Sequence, residues 1–244
     1  MSDSLSSPVI GVDGCKAGWV GVERHDNGAS HRIRLFQDFS DILNDPAGFA
    51  IIAVDMPIGL PGRIVGSGRG PEQAVRPLLG KRRSSVFSIP ARSAVEATDY
   101  REGCELALKA SDPPRKFSKQ AFNIFPKILE IDRVMNPSLE NRVFEVHPEV
   151  AFWRLNGERA LDHPKKGKGG LDAPGPRERM DILRAHGLAR DFLNAAAPKG
   201  AAMDDVLDAC ACAVIAERLA SGRAEAFPSS MKRDDKGLRI AIWA

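Results

Sequence analysis

Two continuous apolar runs of strand length, Pro8–Val12 and Phe49–Val54, set the frame of this chain. Unbroken apolar runs of that length are the pattern of strands buried on both faces. Each closes on an aspartate, Asp13 and Asp55, and is then broken by a turn former, Gly14 in one case and Pro57-Ile58-Gly59 in the other. A third run, Val143–Val146, carries Glu145 near its end and leads into His147-Pro148. Between the first two, Trp19–Glu23 and His31–Phe36 read as further strands, set off by tight turns at Gly14–Gly18 and at Asp26-Asn27-Gly28. Residues 38–45 suit a short helix. The predicted order is three meandering strands, a helix, and then a buried strand ending at Asp55.

From about Gly62 to Asn141 the pattern loosens into Gly- and Pro-rich segments around the basic run Gly80–Phe87, followed by helical stretches over 93–108 and 118–135. With its looser pattern this region reads as an insertion on the sheet within a single domain spanning 1–244. A fifth strand ends near Glu145, and Pro148–Leu155 reads as a helix. The stretch 162–170 reads as a lysine-bearing loop, with helices near 175–186 and 188–196 and an acidic helix over 204–221. A last strand, Leu238–Trp243, is expected to join an edge of the sheet.

The acidic helix carries the most chemistry. Met203–Ala213 sets Asp204, Asp205 and Asp208 at the start of a small, greasy helix. Asp208 shares a helix face with both of the others. Capping and the helix dipole explain acids in a first turn, but Asp208 lies beyond the capping positions, beside an alanine-rich packing surface. Like charges that close destabilise a helix, and a bound cation reverses the sign of that term. Acids that end neighbouring parallel strands can share an ion as well, because sites in open α/β sheets form outside the carboxyl ends of the strands.

Composition narrows the setting. At 244 residues, 43% hydrophobic and 27% charged, the chain is an ordinary globular protein with a formal charge of only +3. The charge is uneven: from Arg63 to Arg92 there are seven Lys or Arg against the single acid Glu72. No apolar run approaches the roughly 20 residues of a membrane span, and Met1–Ser4 lacks a signal-peptide pattern. The cysteines (Cys15, Cys104, Cys210, Cys212) have no zinc-like spacing, and a reducing cytoplasm is the expected location.

Five stretches, Gly11–Trp19, Asp55–Pro61, Arg82–Phe87, Glu145–Glu149 and Asp205–Ala209, span nearly the whole chain. Through them it resembles a bacterial and archaeal family, domain-of-unknown-function family 429, whose members are described as predicted RNase H-like nucleases. The resemblance implies a ribonuclease H-like α/β fold: a mixed five-stranded sheet, three antiparallel then parallel strands, flanked by helices and carrying a helical insertion at about 62–141. It implies Asp13, Asp55, Asp205 and Asp208 as metal ligands and catalytic acids, with Glu145 as an accessory acid. The substrate-binding candidates are Lys16, Arg82, Arg83, Ser85 and His147, with the Lys165–Lys168 loop beside them. Ribonuclease H itself has a glutamate on its first helix, where this chain offers only Asp38, Asp41 and Asp45. The acid arrangement of Holliday-junction resolvases is the better match.

An all-oxygen ligand set without a His/Cys cluster favours Mg²⁺ or Mn²⁺ over zinc. The expected activity is a metal-dependent hydrolase, a nuclease or phosphodiesterase using two ions, one generating hydroxide and the other steadying the leaving oxygen. Its partner would be a nucleic acid, DNA or RNA, with no membrane; the oligomeric state is open, a homodimer included. Two other readings stand beside it: a non-catalytic nucleic-acid-binding module, and a small-molecule phosphotransferase of the actin and sugar-kinase type. The second is weakened by Gly14-Cys15-Lys16-Ala17, which has no phosphate-binding hydroxyl.

Overall fold

The computed structural model describes residues 7–25, 28–165 and 170–244. Its central sheet has five strands: β1 (Val9–Cys15), β2 (Gly18–His25), β3 (Ser30–Phe36), β4 (Ile51–Val54) and β7 (Val143–Glu145), in the order β3-β2-β1-β4-β7. β1, β2 and β3 pair antiparallel, whereas β4 and β7 add on parallel. This is the ribonuclease H-like architecture. A short helix α1 (Phe39–Leu43) links β3 to β4. The segment between β4 and β7 holds β5 (Ile64–Val65), α2 (Gly70–Val75), α3 (Arg92–Val95), α4 (Tyr100–Lys109), β6 (Ser111–Asp112) and α5 (Lys119–Val134). After β7 come α6 (Pro148–Leu155), α7 (Pro174–Ala185), α8 (Arg190–Leu193) and α9 (Met203–Ala220). The hairpin β8 (Ala226–Arg233) and β9 (Arg239–Trp243) closes the chain.

The period of two divides the sheet into two buried faces. Ile10, Val12, Ile52 and Val54 pack with Phe125, Ile128 and Ile131 of α5. Val9, Val20, Val22, Ile51 and Ala53 pack instead with α6 and α9. On β1 and β4 this second face is the odd-numbered one, and Asp13 and Asp55 continue it, so the strand pattern alone aims both toward the α9 side.

α9 lies on β1 with almost no intervening side chain, and Gly11 is the reason. A Cβ on Gly11 would sit 2.0 Å from the Ala213 amide nitrogen and 2.2 Å from the Ala209 carbonyl oxygen. The α9 side is matched to this approach by Ala209, Cys212 and Ala213, all fully buried. Gly11→Ala is therefore expected to push α9 off the sheet, at a cost of about 3 kcal/mol or more. A lower urea midpoint at unchanged slope would record it; a native midpoint would mean that α9 has room to move.

Three boundaries differ from the sequence reading. The helix expected over 93–108 is split into α3 and α4, because the Asp99 carboxylate accepts the Arg101 and Glu102 N–H groups at 2.8 and 3.1 Å and starts a new helix. The last strand does not join the central sheet. It pairs antiparallel with β8, through a turn in which the Asp234 carboxylate accepts the Lys236 and Leu238 N–H groups, each at 2.9 Å. β8 escaped notice because Ala226–Arg233 holds Pro228 and small polar residues in place of an apolar run. The Asp26-Asn27 turn and Lys166–Lys168 lie outside the described residues.

Candidate metal centre at the strand ends

Parallel pairing sets Val12 beside Val54, and the Asp55 N–H donates to the Val12 carbonyl at 2.8 Å. Asp13 and Asp55 are thus the next residues along neighbouring strands, on one face. The close seat of α9 at Gly11 brings in the third acid, since Asp208 adjoins Ala209, the residue that touches Gly11. One carboxylate oxygen from each of Asp13, Asp55 and Asp208 lies within 4.8 Å of the other two. Asp13 and Asp208 are buried and Asp55 is half-buried.

Three carboxylates so placed resist ionisation together. Burial, then the charges of Asp55 and Asp208, hold the Asp13 carboxyl well above the ordinary range. Burial and Asp208 do the same to Asp55. The Asp208 carboxyl is pushed up by burial to about 6, with Lys165 opposing the rise. Lys165 is the local counter-charge: its ammonium contacts the Asp208 carboxylate and stands 3.3 Å from Asp204. Burial works against that ammonium, yet Asp208 and Asp13 outweigh it and hold the charge in place. At alkaline pH, with all three acids ionised, this one cation leaves the centre negative. Lys165→Met is therefore expected to tighten Mn²⁺ binding severalfold at alkaline pH, checked by calorimetric titration. An unchanged affinity would mean that Lys165 leaves the acids before an ion enters.

The remaining candidates divide. The Asp205 carboxylate accepts the Ala202 N–H at 2.9 Å and caps α9, outside the group of three, although its charge still raises Asp13 and Asp55. Glu145 is in register with Val54, not with Asp55, so it belongs to the other face of the sheet. There it pairs with Arg69 at 2.6 Å and accepts the Ile58 N–H at 2.7 Å. Asp38 and Asp41 cap α1, and Asp45 pairs with Arg34 at 2.6 Å, so none of the three replaces the missing helix glutamate.

A chamber of about 700 Å³ opens over the aspartates. Arg82, Ser85 and His147 line it, with the Arg82 guanidinium donating to the Ser85 hydroxyl at 3.2 Å. Lys16 and Arg83 are exposed and lie outside its wall. His147 caps α6: its Nδ1 accepts the Glu149 N–H at 3.2 Å, which assigns the ring proton to Nε2, 3.4 Å from the Ser85 carbonyl. Burial lowers its pKa, so the ring is a neutral N–H donor that ties the basic segment to the strand end.

Two parts of the site had escaped the sequence reading. Lys127 of α5 lines the chamber, its ammonium 4.3 Å from the Trp19 ring centre and 3.0 Å from Glu130. Arg69 and Glu72 are buried against Glu145. Lys127 had one legible signal, a lysine on a polar stripe of a helix whose other face is core. Arg69 had none, because its partner Glu145 lies 76 positions away.

A ribonuclease H-like sheet with a buried aspartate triad at its parallel strand ends defines a class: an α/β protein with an acidic centre that could hold a metal ion. The chain belongs to the DUF429 family of proteins of unknown function, whose family model matches residues 11–233. No curated protein and no solved structure matches it. Among the described residues, no helix is long and apolar enough to cross a membrane.

Proposed function

We propose that the protein is a nuclease, hydrolysing nucleic-acid phosphodiester bonds with Mg²⁺ or Mn²⁺ bound at the aspartate triad. The observation that carries this reading is the convergence of Asp13, Asp55 and Asp208 on one buried point, each held there by backbone register or by the seat of α9. The donor set fits: three hard oxygen ligands, no imidazole or thiolate among them, and an excess of negative charge that one lysine does not balance. A divalent ion held there lowers the pKa of a water and offsets charge on the phosphate and the leaving oxygen. Asp13, Asp55 and Asp208 are the ligands, for one ion or two, and Asp205 is near enough to influence them electrostatically.

The protein's own groups do the rest. Lys127 and Arg82 stand on the chamber wall where a phosphate oxygen would enter, contacts that position a backbone without reading sequence. Lys127 is pre-aimed by Trp19 and Glu130, so little freedom is lost when it engages an anion. The chamber gives a substrate partial shelter from water, which strengthens each of these contacts.

The test is a cleavage assay with single-stranded, duplex and branched DNA and RNA, with Mn²⁺ or chelator. Asp13→Asn is expected to fold and to lose turnover by about a hundred- to a thousandfold, the scale on which removing one preorganised electrostatic group acts. Wild-type rates in that variant would end the proposal. A protein that binds Mn²⁺ and these strands but cuts none would be a binding module.

A further inference from the structure

The chamber is uneven in its chemistry. One wall is a stripe of α5 made of Gln120, Asn123, Ile124 and Lys127, spaced so that all four share one helix face. A different face of the same helix, with Ala121, Phe125, Ile128 and Ile131, is buried in the core. The stripe therefore faces the cavity, with only Ile124 of the four also packed against the core. Its Lys127 end reaches the end of β1, where the Lys127 Cγ is 3.6 Å from the position of a Cβ on Gly14, the residue after Asp13. Gln120 is two turns earlier, about 10 Å along the axis. Between these ends the wall is apolar: Ile124 and Phe87 are both half-buried, and Ile89 beneath them is part of the core. Among the described residues, neither Gln120 nor Asn123 has a side-chain hydrogen-bond partner.

We infer that this chamber receives one unstacked nucleobase, with the phosphate of the same nucleotide toward Lys127 and the base edge toward Gln120 and Asn123. A primary amide carries a donor and an acceptor side by side, the pattern that meets the hydrogen-bonding edge of a base. Apolar and aromatic side chains supply the surface on which its flat face rests. A cavity of about 700 Å³ is in the range of small-ligand pockets and far too confined for a duplex. A base becomes available to such a pocket only from a single strand, a chain end or a flipped-out position. The substrate class is thus a nucleic acid presenting a single-stranded or terminal nucleotide. The inference rests on the nuclease reading only in placing the phosphate at the aspartates.

Calorimetric titration of the full chain, with Ca²⁺ in place of Mn²⁺, compares AMP, GMP, CMP and TMP with ribose 5-phosphate, which has the phosphate and no base. The best nucleotide should bind at least about tenfold more tightly than ribose 5-phosphate. The double variant Gln120→Ala/Asn123→Ala, altered only at exposed positions, should lose most of that preference while binding ribose 5-phosphate as before. Equal binding of all five ligands, or binding of none, overturns the inference, as does an unaltered preference in the double variant. Its failure is distinguishable from failure of the nuclease reading. Cleavage without base-dependent binding removes the pocket and leaves the nuclease; base-dependent binding without cleavage of any substrate does the reverse.

Discussion

Replacing Asp208 by asparagine should abolish Mn²⁺-dependent cleavage and, at the same time, make the metal-free protein more stable at neutral pH. The sign follows from the burial of the site. The Asp208 carboxyl is raised from its ordinary 3.8 to about 6, so the folded state holds its proton more tightly than the unfolded chain does. Such a group contributes stability below about pH 4, and that contribution is lost as the pH rises through about 6. The full difference corresponds to about 3 kcal/mol. Asparagine has no proton to lose, but it forfeits the Lys165 contact, so a net gain of about 1–2 kcal/mol is the expectation. In chelator near neutral pH, Asp208→Asn should therefore melt several degrees above wild type, and the gap should close toward about pH 4. Saturating Mn²⁺ should reverse the order, since only the intact triad gains the full linkage energy of the ion. Melting curves across pH, with chelator and with Mn²⁺, decide the matter. Identical curves in chelator at every pH would mean that the three acids do not burden the fold, removing the electrostatic argument for a cation.

Much of this was legible in the chain because it depends on local pattern. The apolar runs at Pro8–Val12 and Phe49–Val54 supply β1 from Val9 and β4 from Ile51, and the acids at their ends do meet. The small residues of α9 around Asp208 could be read as core, and they are the surface that lets the helix sit on Gly11. Other features depend on register, which a sequence does not display. Glu145 was expected as an accessory acid beside the strand-end aspartates, yet it pairs one position before Asp55, with Val54, and a one-residue offset changes the face of the sheet. Asp205 and Asp208 were both expected as ligands. Asp205 is spent on the Ala202 N–H because it holds the capping position, whereas Asp208 is one turn further in and free to face β1. Lys165 comes from a loop whose composition suggested only solubility or phosphate contact, and nothing local indicated that it meets Asp208.

The Arg69 cluster gives the second large effect. Its guanidinium is 2.6 Å from both Glu72 and Glu145, and it donates to the Ile58 and Gly59 carbonyls at 2.9 and 3.0 Å. All three charged side chains are at most 5% exposed. Arg69→Met would leave two buried carboxylates facing each other and two carbonyls without their donor. Breaking a buried pair from one side costs about 3–5 kcal/mol, and here the cost should depend on pH. Burial already lifts the Glu145 carboxyl to about 7 with Arg69 opposing; without Arg69 it rises further, so the variant is weakest near pH 8 and recovers on acidification as Glu145 takes its proton. Denaturant unfolding near pH 5 and pH 8 measures this, and a pH-independent loss would mean that packing, not charge, governs the cluster. The same cluster clamps the Met56–Leu60 loop directly after Asp55, because Glu145 accepts the Ile58 N–H while Arg69 takes the neighbouring carbonyls. Glu145→Gln, which keeps an acceptor for Ile58, therefore separates two roles for this acid. A residue that positions the Asp55 loop would lower kcat on mutation while Mn²⁺ affinity stays near native. A direct ligand would lose the ion itself.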